Sequence, residues 1–188
     1  MRTIIAASIT ATILASVAPT GSTDVPLERF RAFAVDISNT APRAAASTVD
    51  IAINRWSTDE QRDQLLSVFK EKGQDGLLSA LRDQAPVGFI RTPDSLSYDL
   101  RFARQHQEGE GGRMIFLMTD RPIRMWEAMN SPRTIDYPFT LIQLQVDKDG
   151  NGVGKASIAT RIRQADDTIE LENFSSLPVR LNEVRRVQ

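Results

Sequence analysis

From residue 30 onward apolar and polar side chains alternate along much of the chain, the period that puts every second residue of a strand on one face. Phe33, Val35 and Ile37 share one face of a first segment, and Val49, Ile51 and Ile53 share one face of a second. Between them Asn39 to Ala46, with Pro42 and small residues, reads as a loop, so the pair is expected to form a hairpin. The alternation then lapses. Ser57 and Glu60 have capping-box spacing, in which each side chain satisfies a backbone N–H exposed at a helix start. Leu65, Leu66, Val68 and Phe69 supply an apolar stripe, Gly73 is placed to end it, and Leu77, Leu78 and Leu81 add further turns before Pro86. Such a stripe either packs on a sheet or offers a groove to a partner, and packing is its ordinary use.

Beyond Pro86 the alternation resumes with Val87 and Phe89, then Tyr98, Leu100 and Phe102, separated by a Thr92-Pro93-Asp94-Ser95 turn. Met114 to Met118 is apolar on both faces, which suits a central strand with the core on one side and the helix on the other. Ile142, Leu144 and Val146 alternate with glutamines, and Ala156, Ile158, Thr160 and Ile162 alternate with Lys155, Ser157, Arg161 and Arg163. Asp166-Asp167 is a further turn leading to Ile169 and Leu171, and a last strand carries Val179 and Leu181. The expected fold is mainly β (α+β): an antiparallel β-sandwich or flattened barrel of about nine strands with one helical segment packed on it. No repeat or linker interrupts residues 23–188, which read as a single β-rich domain.

The first residues follow another rule. Arg2 followed by the uncharged run Thr3 to Ala18 has the build of a signal peptide occupying residues 1–22, with the cut between 18 and 22. The run is too short and too rich in Ala, Ser and Thr for a membrane span, which needs roughly 20 strongly apolar residues. The expectation is an exported protein, periplasmic or extracellular, with no transmembrane anchor after processing. The formal net charge is −1, and loss of Arg2 makes it more negative, so nucleic acid is not an expected partner. Cysteine is absent and His106 is the only histidine, which removes disulfides, thiol nucleophiles and multi-histidine metal sites. No cofactor is expected.

The long connection from Thr119 to Pro138 lacks alternation, and loops of that length inside compact domains are often functional. Arg121, Arg124, Trp126, Glu127, Arg133 and Tyr137 there combine stacking surfaces with planar hydrogen-bond forks, a composition suited to gripping a small molecule or an envelope protein. The same residues serve equally to close a barrel end. Asp147, Asp149 and Asn151 match the first half of a calcium loop, but Ile158 stands where the bidentate Glu belongs, and a Gly- and Asp-rich hairpin turn uses the same residues. Glu170 and Glu172 share a strand face and face Arg161 and Arg163 of the preceding strand, which suits cross-strand ion pairs.

The runs RWSTDEQRDQLL, VGFIRTPDSLSYDLR, TDRPIRMWEA, TIDYPFTLIQLQVDKDGNGVGKAS and IELENFSSLPVRL resemble a group of secreted bacterial proteins of unknown function. The resemblance covers most of the processed chain and implies export from a bacterium, with no activity attached. Lacking a catalytic constellation, the chain reads as a non-enzymatic ligand-binding or structural module of the cell envelope. The alternative is a carboxylate-dependent hydrolase of an envelope glycan or ester, which requires two carboxyl groups facing each other across a cleft. A lipid carrier would require an interior cavity.

Overall fold

A computed structural model of the chain describes residues 26–35, 46–93, 96–109, 111–123, 136–165, 168–173 and 177–187. The expected leader and its cleavage region lie outside them. The elements are β1 (Glu28–Val35), β2 (Ala46–Ile53), α1 (Asp59–Asp83), β3 (Gly88–Arg91), β4 (Tyr98–Leu100), β5 (Phe102–Glu108), β6 (Gly112–Thr119), β7 (Phe139–Val146), β8 (Asn151–Ala165), β9 (Thr168–Asn173) and β10 (Val179–Arg186). The strands form one antiparallel sheet in the order β4-β3-β2-β1-β10-β8-β7-β6-β5, with β9 paired to the outer reach of β8. Its two ends belong to one stretch of chain, since only Arg101 separates β4 from β5. Around that residue Val87 N–H donates to Leu100 O (2.7 Å) and Arg101 N–H donates to Met118 O (2.9 Å). The sheet therefore nearly closes into a barrel, the second of the two architectures the alternation allowed.

The barrel interior is filled. Phe30, Ile51, Ile53, Ile90, Leu100, Ile115, Leu117, Ile142, Leu144 and Leu181 are almost completely buried there. Space is tight where β8 crosses: a Cβ on Gly154 would stand 2.7 Å from Leu144 Cδ2 and 3.3 Å from Leu181 Cβ. Sheets of about eight strands enclose just enough room for side chains. A lipid carrier would require an interior cavity, and the described interior positions are occupied by these packed side chains.

Several faces differ from the simple alternation, each for a local reason. In β1 the inward residues are Phe30, Ala32 and Ala34, while Phe33 stands on the outer face between Thr48 and Asn182 and is half exposed. In β3 Gly88 and Ile90 are buried, and Phe89 lies under the Arg91 guanidinium on the outside. The inward face also changes parity at Arg101, so Tyr98 and Leu100 point in whereas Phe102 packs outside and Ala103 takes over the interior. A bulge in β8, where Phe139 pairs with Thr160 but Leu141 with Ser157, makes the same switch and turns Ile162 outward. A second bulge in β10, at the positive-φ residue Glu183, keeps Val184 pointing inward with Val179 and Leu181.

The helix begins one residue later than its sequence signal. Thr58 is the cap: its hydroxyl accepts from Gln61 N–H (3.2 Å) and Gln61 Oε1 accepts from Thr58 N–H (3.0 Å). Ser57 is recruited elsewhere, its buried hydroxyl accepting from Ala103 N–H of β5 (3.1 Å). Gly73, at φ 63° and ψ −155°, leaves the helical conformation as its placement predicts, so α1 consists of two helical stretches that meet at a kink there. Directly after the kink, Gln74 donates to Asp136 O (3.3 Å) and accepts from Ile162 N–H (3.0 Å), tying the helix to β8. Leu65, Phe69, Leu77 and Leu81 then bury against Phe139 and Ile162, with Phe102 and Met118 beside them, in a second core on the outer face of the sheet.

Candidate functional site

The residues expected to bind at the long connection are only partly placed. Arg124, Trp126, Glu127 and Arg133 lie outside the described residues. The start of the connection is stapled to the barrel end by two fully buried threonines: Thr140 N–H donates to Thr119 Oγ1 (3.2 Å) and Ile123 N–H donates to Thr140 Oγ1 (3.0 Å). Arg121 lies over the Tyr98 ring, its guanidinium carbon 4.9 Å from the centroid. Arg101 is held between Asp99 (3.2 Å) and Asp120 (3.4 Å) and donates to Gln84 O (2.9 Å).

Tyr137, at the other end, serves a different contact. Its hydroxyl donates to Glu172 Oε1 (2.7 Å) and its ring lies under Arg161, 4.9 Å from the guanidinium carbon. The hydrogen bond to the Glu172 carboxylate, followed by burial, raises the phenol above its ordinary pKa. Arg121 and Tyr137 thus engage different partners, and both contacts fasten the connection to the sheet.

The calcium candidates form a hairpin turn. Asp147 Oδ1 accepts from the N–H groups of Asp149 and Asn151 (2.9 Å each), and Gly150 takes the positive φ of 84° that the turn requires. No group of three or more His, Asp or Glu placed to hold a metal occurs among the described residues. Of the acids expected to pair across β8 and β9, Glu172 bonds Arg163 at 3.0 Å, diagonal to the Arg161 it faces in the register. Many other acids are likewise engaged by arginine: Glu28 with Arg113, Asp50 with Arg31 (3.1 Å), and Asp59 with Arg104 (2.7 Å). The Arg104 contact holds the Asp59 carboxyl below the usual carboxylate range.

An open apolar feature on the outer face of the sheet falls outside the sites the sequence suggests. Between α1, the outer face of β5 to β8 and the arm β9 lies a cleft of about 200 Å³, walled by Leu65, Leu66 and Phe69 on one side and by Ile169 and Leu171 on the other. It shares Phe102, Met118, Leu141 and Leu171 with an adjoining hollow of about 440 Å³ over Phe116, Gln143, Lys155, Ser157 and Pro178, so the two form one groove. Several apolar linings remain open to solvent: Phe116 is 45% exposed, Ile169 51% and Leu171 57%. The described residues include no helix long and apolar enough to cross a membrane.

No family model, curated protein or solved structure matches this chain. The functional reading therefore rests on the groove alone. One signal in the sequence pointed to it: the doubly apolar run Met114 to Met118 needs cover on both faces, and α1 reaches Met118 but leaves Phe116 open. The other was Ile169 and Leu171, an apolar strand face with no second apolar element to meet it.

Proposed function

We propose that this chain is a non-enzymatic ligand-binding module, exported to the bacterial envelope or beyond, whose ligand lies in the groove between α1, the outer sheet face and β9. The observation that carries the reading is the continuous exposure of Leu66, Phe116, Ile169 and Leu171 along a concave surface. Scattered surface hydrophobics are ordinary, but concave apolar surfaces are where small molecules bind. The filled barrel interior supports the placement, since it leaves the outer face as the site for an apolar guest. Export is supported by Arg2 and the uncharged run after it.

Fluorescence titration with the uncharged dye phenylnaphthylamine tests the groove. Saturable emission from the native protein is expected, together with its loss in Phe116→Asp and in Leu171→Asp, which place a carboxylate on exposed groove positions. Unchanged dye binding in both variants, each folded by circular dichroism, would remove the assignment.

A further inference from the structure

We infer that the ligand is a single-chain amphiphile with an anionic head group, its chain in the groove and its head at Lys155 and Arg180; this rests on the groove reading above. The register sets out the path. Phe116 of β6 stands opposite Gln143 of β7, Gln143 opposite Lys155 of β8, and Lys155 opposite Arg180 of β10. With strands about 4.8 Å apart, the Lys155 ammonium springs from the sheet roughly 10 Å from the base of Phe116. One groove therefore passes from apolar side chains, over an amide, to a cation.

Charge gives the head its sign. Among the described residues the groove lining contains Arg62 and Lys155 and no carboxylate. Arg62 at the helix end is already neutralised by Asp63 (2.7 Å) and Asp59 (3.4 Å). Lys155 and Arg180 are exposed, directly opposed, and form no ion pair among the described residues. Like charges facing each other across strands are destabilising, and elsewhere on this sheet arginines such as Arg31, Arg104, Arg113 and Arg163 have an acid within reach. The Lys155–Arg180 pair offers a fork of unspent donors to a carboxylate or phosphate at the end of an apolar channel. The larger hollow lies low in the usual range for small-molecule sites, about 300–1,000 Å³, which favours one chain over two.

The test is calorimetric titration of the full processed protein with dodecanoate and with dodecanol, each below its self-association limit. Dodecanoate is expected to bind about tenfold tighter than the alcohol, a difference of about 1.4 kcal/mol. In the double variant Lys155→Gln, Arg180→Gln the ratio should fall to about one with alcohol binding unchanged. Equal binding of the two by the native protein would overturn the head-group assignment while leaving the groove reading intact. Failure of both to bind would overturn the groove reading and this inference with it.

Discussion

Phe139 and Phe116 lie on the same outer face of the sheet, on the neighbouring strands β7 and β6, and differ in what covers them. Phe139 is fully buried beneath α1, whereas Phe116 is 45% exposed. Truncating Phe139 to Ala removes its transfer free energy and leaves a void between helix and sheet, a combination that costs about 3–5 kcal/mol. Truncating Phe116 to Ala forfeits only about half of the 1.5–3 kcal/mol that full burial of such a side chain brings, about 1 kcal/mol, and opens no void because the site is already open. For a domain of this size each kcal/mol moves Tm by roughly 2–4 °C, so Phe139→Ala should melt about 6–20 °C lower and Phe116→Ala about 2–4 °C lower. Thermal unfolding followed by far-ultraviolet circular dichroism reads both. A Phe116→Ala shift as large as that of Phe139→Ala would show that the outer face at β6 is covered in solution, and the open groove would be refuted.

Tyr137 should titrate above its ordinary value of about 10, because its hydroxyl donates to Glu172. The neutral phenol is the favoured folded form, so its contribution is complete below about pH 10 and is lost as pH rises through the folded pKa; phenolate absorbance in Glu172→Gln should show the midpoint moving down. A Cβ on Gly152 would stand 1.9 Å from Gln145 O and 2.9 Å from Gln145 C, both backbone atoms that cannot swing aside. Gly152→Ala should therefore force β7 and β8 apart at or above the usual overpacking cost of about 1–3 kcal/mol, seen as a collapse in soluble yield or a large fall in Tm. Arg113 is 14% exposed in its side chain and donates to Glu28 and Gln105 (2.7 Å each). Glu28→Gln should cost about 1–3 kcal/mol in urea unfolding, since it leaves a nearly buried guanidinium without its carboxylate. Amino-terminal sequencing of the exported protein should begin between residues 19 and 23; an intact Met1 on exported material would contradict the leader.

The alternation made strand existence legible and left strand faces partly hidden. Val49, Ile51, Ile53, Ile142, Leu144, Val146, Val179 and Leu181 all point inward as their spacing required. Phe102 and Ile162 lie beyond breaks in the register: at Arg101, where one run of chain passes from pairing with β3 to pairing with β6, and in the bulge of β8. A bulge adds one residue and inverts every later inward position, and its cause is tertiary, so a period-two pattern cannot reveal it. Phe33 is a different failure: the larger residue was assigned to the core, whereas the space inside β1 fits Ala32 and Ala34. The capping signal was displaced by one residue for a comparable reason, because Ala103 of β5 takes the Ser57 hydroxyl. The apolar residues of the groove were legible in Met114 to Met118 and in Ile169 and Leu171, but its extent depends on how far α1 reaches across the sheet, which no local pattern encodes.

That reach follows from the kink at Gly73. The first part of α1 sets Leu65 and Phe69 over Phe102 and Met118, and after the kink Gln74 ties the helix to Ile162 of β8 while Leu77 and Leu81 complete the second core. The helix is thus anchored at β8 and along one margin of the outer face, and Phe116, Gln143 and Lys155 lie beyond its cover. The bulge in β8 supplies the opposite wall, because the strand continues past the barrel and carries β9 with Ile169 and Leu171 exposed. A regular β8 would keep Ile162 on the inward side and withdraw it from the second core on which the helix rests. The same irregularity that defeats a simple reading of strand faces therefore holds the helix in place and helps to shape the groove.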